Sequence, residues 1–212
     1  LGQVNILGSL IFSGMTGSAI ADAAGLGKIE IEAMTKSGFE PEFACAITAA
    51  SATIGPIFPP SIPLVIYAML SSTSVGALFM GGMVPGVLLA IALMIYVAIV
   101  SKKRNYPRGE KIVLKTFISA TVKAIPALLT PVILLVGIYS GVMTPTEAGA
   151  IAGLYAIIIS VFAYRALGFK DLLNVVKDSI RDVGATSIMI GAATIISYIV
   201  AREQLAANIG NW

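Results

Sequence analysis

The sequence predicts an all-α membrane protein, a polytopic helical bundle that contains a re-entrant helical hairpin and a broken transmembrane helix. Three observations support this fold class. Hydrophobic residues make up 57% of the 212 residues and charged residues only 12%, which is about half the charged share of a soluble domain. Some stretches long enough to cross a membrane carry no charge, and two apolar stretches are interrupted by residues that do not continue a helix.

The composition excludes several classes of protein. A soluble domain of this size buries roughly 70–75% of its surface, so it could not hide this much apolar surface from water. The sequence has no histidine and one cysteine, Cys45, which excludes a histidine-based catalytic site, a histidine-ligated metal and an internal disulfide. An intramembrane aspartyl protease would need paired acids inside spans, and only Asp22 is close to one. We therefore expect a protein that is not an enzyme, and its net charge of +3 does not indicate nucleic acid as a partner.

The charge-free stretches set the predicted segments. A helix needs about 20 apolar residues to cross the hydrocarbon layer. Residues 43–101 contain no Asp, Glu, Lys or Arg over 59 positions, which is long enough for two crossings, and we expect five crossings in all. The predicted segments are a re-entrant hairpin (1–32), a broken helix (43–70), a span (76–100), a cytoplasmic linker or surface helix (101–123), two spans (124–141 and 147–164), a surface arm (169–183) and a last span (184–201).

Basic residues predict the orientation of these segments. Cytoplasmic loops carry an excess of Lys and Arg. Five basic residues follow the 76–100 span, namely Lys102, Lys103, Arg104, Arg108 and Lys111. We therefore place this linker in the cytoplasm. The loop at residues 141–147 has no basic residue and is expected on the opposite side.

The first predicted break is the sequence SGMTGSA at residues 13–19. Its glycines cost a helix about 1 kcal/mol each, and its Ser and Thr side chains compete for backbone groups. Residues 1–12 and 20–33 on either side favour helix. The segment is therefore typical of a re-entrant hairpin, whose tip is buried in protein or faces a water-filled cavity. Packing of small residues between two ordinary helices is the alternative.

The second predicted break is the sequence TIGPIFPPSIP at residues 53–63, which has four prolines within eight positions. Each proline removes a hydrogen-bond donor from a helix and clashes with the preceding turn, at a cost of about 3 kcal/mol. We predict two half-helices, 43–52 and 63–70, joined by an extended stretch. A proline-kinked structural helix or a loop outside the membrane is the alternative.

The predicted extended stretch also offers groups that bind ions. Outside a helix, the carbonyls of Thr53, Gly55 and Pro56 have no regular partner. Converging carbonyl and hydroxyl oxygens are good ligands for a small hard cation. The half-helix that begins at Pro63 presents the positive end of its dipole, which favours an anionic group.

Three sequence motifs resemble one family of membrane transporters. SGMTGSAIAD at residues 13–22, TIGPIFPPS at 53–61 and MTPTEAGA at 143–150 are similar to the large membrane subunit of tripartite ATP-independent periplasmic (TRAP) transporters, the DctM-like family. The resemblance extends over the whole chain and implies an elevator-type transport domain built from inverted repeats, each with a re-entrant hairpin and a broken helix. Residues 1–100 would be the first-repeat transport segment and residues 124–212 the start of the second repeat. The chain is therefore expected to be an incomplete piece of a longer protein.

The resemblance also implies a site and a coupling ion. Sodium would bind between the hairpin tip and the broken helix. The carboxylate of the substrate would bind at Ser61, Ser18 and the helix start at Pro63. Asp22, the acid nearest the tip, either ligates sodium or stabilises the start of its own helix. The expected sodium ligands are Ser13, Gly14, Ser18, Asp22, Thr53, Gly55 and Pro56.

Partners and function follow from the same resemblance. The large subunit of this family works with a small four-helix membrane subunit and a periplasmic substrate-binding protein, and it imports organic acids with sodium. The predicted function is therefore sodium-coupled import of C4-dicarboxylates or sugar acids by a multi-pass protein of the bacterial inner membrane, in contact with lipid and without an organic cofactor. Two alternatives stay open. One is a sodium/anion carrier of related fold without a binding protein, and the other is a membrane scaffold subunit that does not transport.

Overall fold

The structure, a computed structural model, describes residues 1–107 and 114–204, apart from the side chains of Thr116 and Phe169. Within these ranges every regular element is a helix, which confirms the predicted all-α class. Residues 108–113 of the predicted linker and residues 205–212 at the end of the predicted second repeat lie outside the described residues. Contacts divide the chain into two compact units, one of which ends at Ile157.

The first three helices correspond to the predicted hairpin. They are α1 (Gly2–Thr16), α2 (Ala19–Ala24) and α3 (Leu26–Lys36). Helix α1 runs four residues beyond its predicted end, because Gly17 closes its last turn in a left-handed conformation with φ +61° and donates its N–H to the Ser13 carbonyl at 3.0 Å. The break after α1 is therefore two residues long rather than the seven predicted. Gly25 adds a second interruption, between α2 and α3, that the sequence pattern does not indicate.

The broken helix is present as two helices. They are α4 (Pro41–Ala52) and α5 (Ile62–Ser71), whose ends lie within two residues of those of the predicted halves. Residues 53–60 between them, which we call the connecting stretch, form turns and bends rather than the extended backbone predicted. Their prolines cannot continue a helix, and backbone hydrogen bonds such as that from the Phe58 N–H to the Ile54 carbonyl at 2.8 Å fold the chain locally. Pro41 and Pro63 instead lie in the first turns of α4 and α5, where the N–H that proline lacks would have no partner in the helix. Each half is too short to span a bilayer alone.

Four helices in the described ranges are long and apolar enough to cross a membrane. They are α6 (Val75–Lys103), α7 (Leu114–Tyr139), α8 (Pro145–Ile158) with its continuing π-helical turn (Ile159–Ala163), and α9 (Phe169–Arg202). They correspond in position to four of the five predicted crossings, and the fifth is the broken helix, for which crossing stays a prediction. Many of their large apolar side chains are exposed, which suits contact with lipid tails.

Two predicted boundaries do not appear as helix ends. From Leu114 onward, the expected surface helix is the first part of α7, and the expected surface arm at 169–183 continues without interruption into the 34-residue α9. The sequence offers one breaker near each boundary, Pro126 and Gly184. A single glycine costs a helix only about 1 kcal/mol, and a proline in a helix of membrane-spanning length is tolerated when neighbouring groups satisfy the freed carbonyl.

The hairpin and the broken helix share one core. Helix α1 packs against α3, α4 and α6, and α5 packs against α6. Two glycines let the connecting stretch lie directly on α6. Gly82 faces the Ile57 carbonyl and Gly86 faces Phe58, at positions where a β-carbon would overlap these groups. The buried apolar side chains of the core are Ile6, Met34, Phe39, Phe43, Ala44, Ile47, Ile54, Ala90 and Val97.

Candidate ion and substrate site

The hairpin tip and the connecting stretch of the broken helix are in direct contact. The Gly17 carbonyl accepts a hydrogen bond from the Ile62 N–H at 3.2 Å, which ties the tip to the start of α5. A β-carbon on Gly17 would lie 2.5 Å from the Pro60 carbonyl oxygen, so the approach requires glycine. A β-carbon on Gly55 would lie 3.2 Å from the Ser18 carbonyl carbon. The two breaks therefore form one junction, which we call the tip junction.

The tip junction leaves backbone oxygens available. Among the described residues, the carbonyls of Thr53 and Gly55 accept no hydrogen bond. The Pro56 carbonyl differs, because it accepts the Ser61 hydroxyl at 2.5 Å. A carbonyl oxygen has two lone pairs, so Pro56 keeps one for a further ligand.

The other predicted sodium ligands lie beside the tip. Ser13 is buried in the last turn of α1, and its hydroxyl donates to the Ser9 carbonyl at 2.6 Å. Gly14 lies next to α7, since a β-carbon there would be 3.5 Å from Pro131 Cβ. Asp22 is 1% exposed and faces Ser9, and neither carboxylate oxygen has a hydrogen-bond partner in the part of the chain that the structure describes. The same part holds no cluster of three or more Asp, Glu, His or Cys side chains, so an ion here would depend on carbonyls, hydroxyls and Asp22.

The start of α5 has no donor left for an anion. Ser61 is buried, and its hydroxyl oxygen caps the helix by accepting a backbone N–H at 3.3 Å. The Ile62 N–H is bonded to the hairpin tip, and Pro63 has no N–H. The Ser18 hydroxyl accepts a backbone N–H at 3.4 Å and donates to no residue in the described ranges. Of the three predicted substrate residues, Ser18 is therefore the one whose donor is available to a carboxylate.

A buried polar network behind the tip was not predicted from the sequence. Asn5 donates to Glu30 and to Thr48, each at 2.7 Å, and accepts from Ser51 at 2.9 Å. Ser51 also accepts the Ser9 hydroxyl at 3.0 Å. The network joins α1, α3 and α4 around the core. Its signal in the sequence is the four-residue spacing of polar side chains along the apolar helix α1.

Replacing Asn5 with leucine is expected to destabilise the full-length protein by about 2–3 kcal/mol, because it leaves Glu30, Thr48 and Ser51 without their shared partner. Chemical unfolding of the purified protein measures this change. Asn174→Leu, at an exposed position of α9, is the control and is expected to shift stability by less than about 0.5 kcal/mol. Equal losses in the two variants would show that the network does not hold these helices together.

The whole chain matches one protein family, and several of its curated relatives are named as TRAP transporter large permeases. Residues 1–212 match the family described as "Tripartite ATP-independent periplasmic transporter, DctM component". The sialic acid TRAP transporter large permease protein SiaM of Vibrio cholerae serotype O1 is 43% identical over 212 residues, which is 100% of this chain and 50% of the relative. The C4-dicarboxylate TRAP transporter large permease protein DctM of Pseudomonas aeruginosa is 35% identical over 207 residues, 98% of this chain and 48% of the relative.

A third relative is named for a different substrate. The 2,3-diketo-L-gulonate TRAP transporter large permease protein YiaN of Escherichia coli K12 is 31% identical over 211 residues, 100% of this chain and 50% of the relative. The chain thus spans about half the length of these curated relatives. Their names describe permeases, not enzymes. With a family match over its full length and four helices of membrane-spanning length, the chain belongs to the DctM family of TRAP transporter large membrane components.

Proposed function

We propose that this chain is the part of a TRAP large permease that binds the coupling sodium ion and one side of an organic-anion substrate. The observation that carries the proposal is the tip junction, where two interrupted helices meet and leave carbonyls that no described residue bonds. A membrane protein tolerates such backbone only where protein or a water-filled cavity surrounds it. The chain is a multi-pass protein of the bacterial inner membrane.

Sodium suits the oxygens around the tip junction. Hard cations prefer carbonyl, hydroxyl and carboxylate ligands, and Thr53 and Gly55 supply carbonyls that accept no hydrogen bond from any residue the structure describes. The Asp22 carboxylate is buried without a partner among the described residues, and a nearby cation would offset the cost of burying its charge. The complete proposed ligand set is Ser13, Gly14, Ser18, Asp22, Thr53, Gly55 and Pro56.

Inward movement of sodium would supply the driving force for uptake. One charge that crosses 100 mV yields about 2.3 kcal/mol, which supports a concentration gradient of roughly 50-fold. In the proposed elevator mechanism the hairpin and the broken helix move together. The Gly17–Ile62 hydrogen bond and the shared core of α1, α4 and α6 support such joint movement.

The proposed substrate is an organic acid delivered by a periplasmic binding protein, and a small four-helix membrane subunit completes the transporter. The relatives are named for transport of sialic acid, C4-dicarboxylates and 2,3-diketo-L-gulonate. Residues 13–22 and 53–63 contain no Lys or Arg, so the carboxylate would be balanced by the sodium ion and held by the Ser18 hydroxyl. Ser61 and Pro63 would contribute through the positive end of α5.

Sodium-dependent protection of a cysteine introduced at position 57 tests this proposal. Ile57→Cys is made in the full-length protein with Cys45→Ser, because Cys45 is exposed and would also react. Sodium is expected to slow maleimide labelling of the introduced thiol several-fold relative to potassium, because the ion orders the connecting stretch. Val142→Cys, at a loop position that is 76% exposed, is the control whose labelling should not respond. Labelling at position 57 that ignores sodium would refute an ion site at the tip junction.

A further inference from the structure

The first part of α7 carries a cleft between two lysines. Lys115, Ser119, Ala120 and Lys123 line this open cleft of about 390 Å³. Their spacing places the two lysines and Ser119 along one face over two helical turns. The other side of the same turns is apolar and exposed, and Phe117 there is 58% exposed.

Helix α7 itself contributes positive charge and no negative charge. Its sequence from Leu114 to Tyr139 contains no Asp or Glu. The nearest acids along the chain are Glu110, which precedes the helix, and Glu147, which accepts two hydrogen bonds from Thr144 at the start of α8. The lysine face therefore attracts an anion through its own helix. Each ammonium group has three donors, so a lysine can meet an anionic oxygen in addition to its other contacts.

The length of α7 places this cleft at the edge of the hydrocarbon layer. A layer about 30 Å thick takes roughly 20 residues at 1.5 Å per residue. Tyr139 is of the aromatic type that lies at the membrane–water interface, and counting back from it by this length reaches Ser119, in the middle of the cleft. Lys115 then lies in the headgroup layer. Lys123 lies one turn inside, and its side chain leans toward the helix N-terminus and hence toward the headgroups.

We propose that this cleft binds the phosphate of an anionic phospholipid, with Lys115 and Lys123 on either side of it. An acyl chain of the same lipid runs along the apolar part of α7 beyond Ala120. The predicted cytoplasmic position of the linker before α7 agrees with this partner, because basic residues next to a span attract anionic lipid. Two lysines together are expected to give roughly a thirty-fold preference for an anionic over a zwitterionic headgroup.

Lipid retention by the full-length protein tests the proposal. The protein is reconstituted in mixed phosphatidylcholine and phosphatidylglycerol, and the lipids that remain bound after extraction are counted by native mass spectrometry. Wild type is expected to retain phosphatidylglycerol preferentially. The variant with K115Q and K123Q is expected to lose most of the thirty-fold preference, and the variant with K115R and K123R is expected to keep it.

A matched control removes the same charge elsewhere. The K170Q/K177Q double variant removes two lysines from α9, where each lysine is followed in the sequence by an aspartate, Asp171 or Asp178. This double variant is expected to leave lipid retention unchanged. The same preference in wild type and in the K115Q/K123Q variant would overturn the proposal. Displacement of the lipid by inorganic phosphate alone would also overturn it, because it would identify a site for a soluble anion. Neither result would alter sodium protection at position 57, so the two proposals fail independently.

Discussion

Gly17→Ala is expected to abolish sodium-dependent uptake by the full-length protein and to lower its stability by about 2–4 kcal/mol. Two effects add at this position. An alanine at φ +61° costs about 1–2 kcal/mol in backbone strain. Its β-carbon would also lie 2.5 Å from the Pro60 carbonyl oxygen and 3.1 Å from the Ile62 nitrogen. Both contacts are with backbone, so the tip must move away from α5 and lose the hydrogen bond that joins them.

Gly141→Ala separates the strain from the contact. Gly141 has φ +71°, and no atom lies within 4 Å of its would-be β-carbon in the described part of the chain. This variant is expected to lose only about 1–2 kcal/mol and to keep sodium-dependent uptake. Unfolding of the purified proteins and uptake in vesicles measure the two effects. If both variants lose the same stability and both still transport, the contact at the hairpin tip is not needed for function.

The broken helix was predictable from the sequence because proline acts through covalent geometry. Four prolines between residues 56 and 63 remove donors and clash with preceding turns in any environment, so the break does not depend on tertiary contacts. The same reasoning located the start of the second half, since Pro63 lies in the first turn of α5. The start of the first half was predicted two residues late, at residue 43, because Pro41 at the start of α4 was not taken into account. Half of the tip junction was therefore visible without a structure.

The hairpin tip was less predictable because glycine and serine permit a break without forcing one. Ser13 and Gly14 continue α1, and the chain turns only at Gly17, where a left-handed residue completes the cap. Which glycine turns is decided by the neighbouring backbone of Pro60 and Ile62, and the sequence pattern carries no information about that contact. The Asn5 network depends in the same way on residues brought together from three helices.

The helix ends in the second half of the chain could not be predicted from the sequence pattern. The amphipathic patterns before residue 124 and over 169–183 describe how a helix's sides differ, and they say little about where the helix stops. Helices α7 and α9 continue through both predicted boundaries. A sequence pattern that changes along one continuous helix was interpreted as two elements.

Gly82→Ala is expected to weaken sodium binding by the full-length protein at least tenfold and to lower its stability by about 1–3 kcal/mol. The added methyl group would overlap the Ile57 carbonyl oxygen and lie 3.1 Å from Leu64 Cδ1. Because the Ile57 carbonyl oxygen is a backbone atom, the overlap is removed only if the connecting stretch shifts away from α6. Ile57 follows the proposed ligands Gly55 and Pro56, so the same shift moves their carbonyls. The sodium dependence of the unfolding temperature measures the loss of affinity.

Gly81→Ala is the control, one residue away on the same helix. Nothing in the described ranges lies within 4 Å of a β-carbon at Gly81, so this variant is expected to gain up to about 1 kcal/mol from the higher helix propensity of alanine and to bind sodium as wild type does. Opposite signs of the stability change at two adjacent glycines would show that the connecting stretch packs against α6 at Gly82. Equal gains at Gly81 and Gly82 would mean that the stretch moves without cost, in which case its carbonyls are not held in place for an ion.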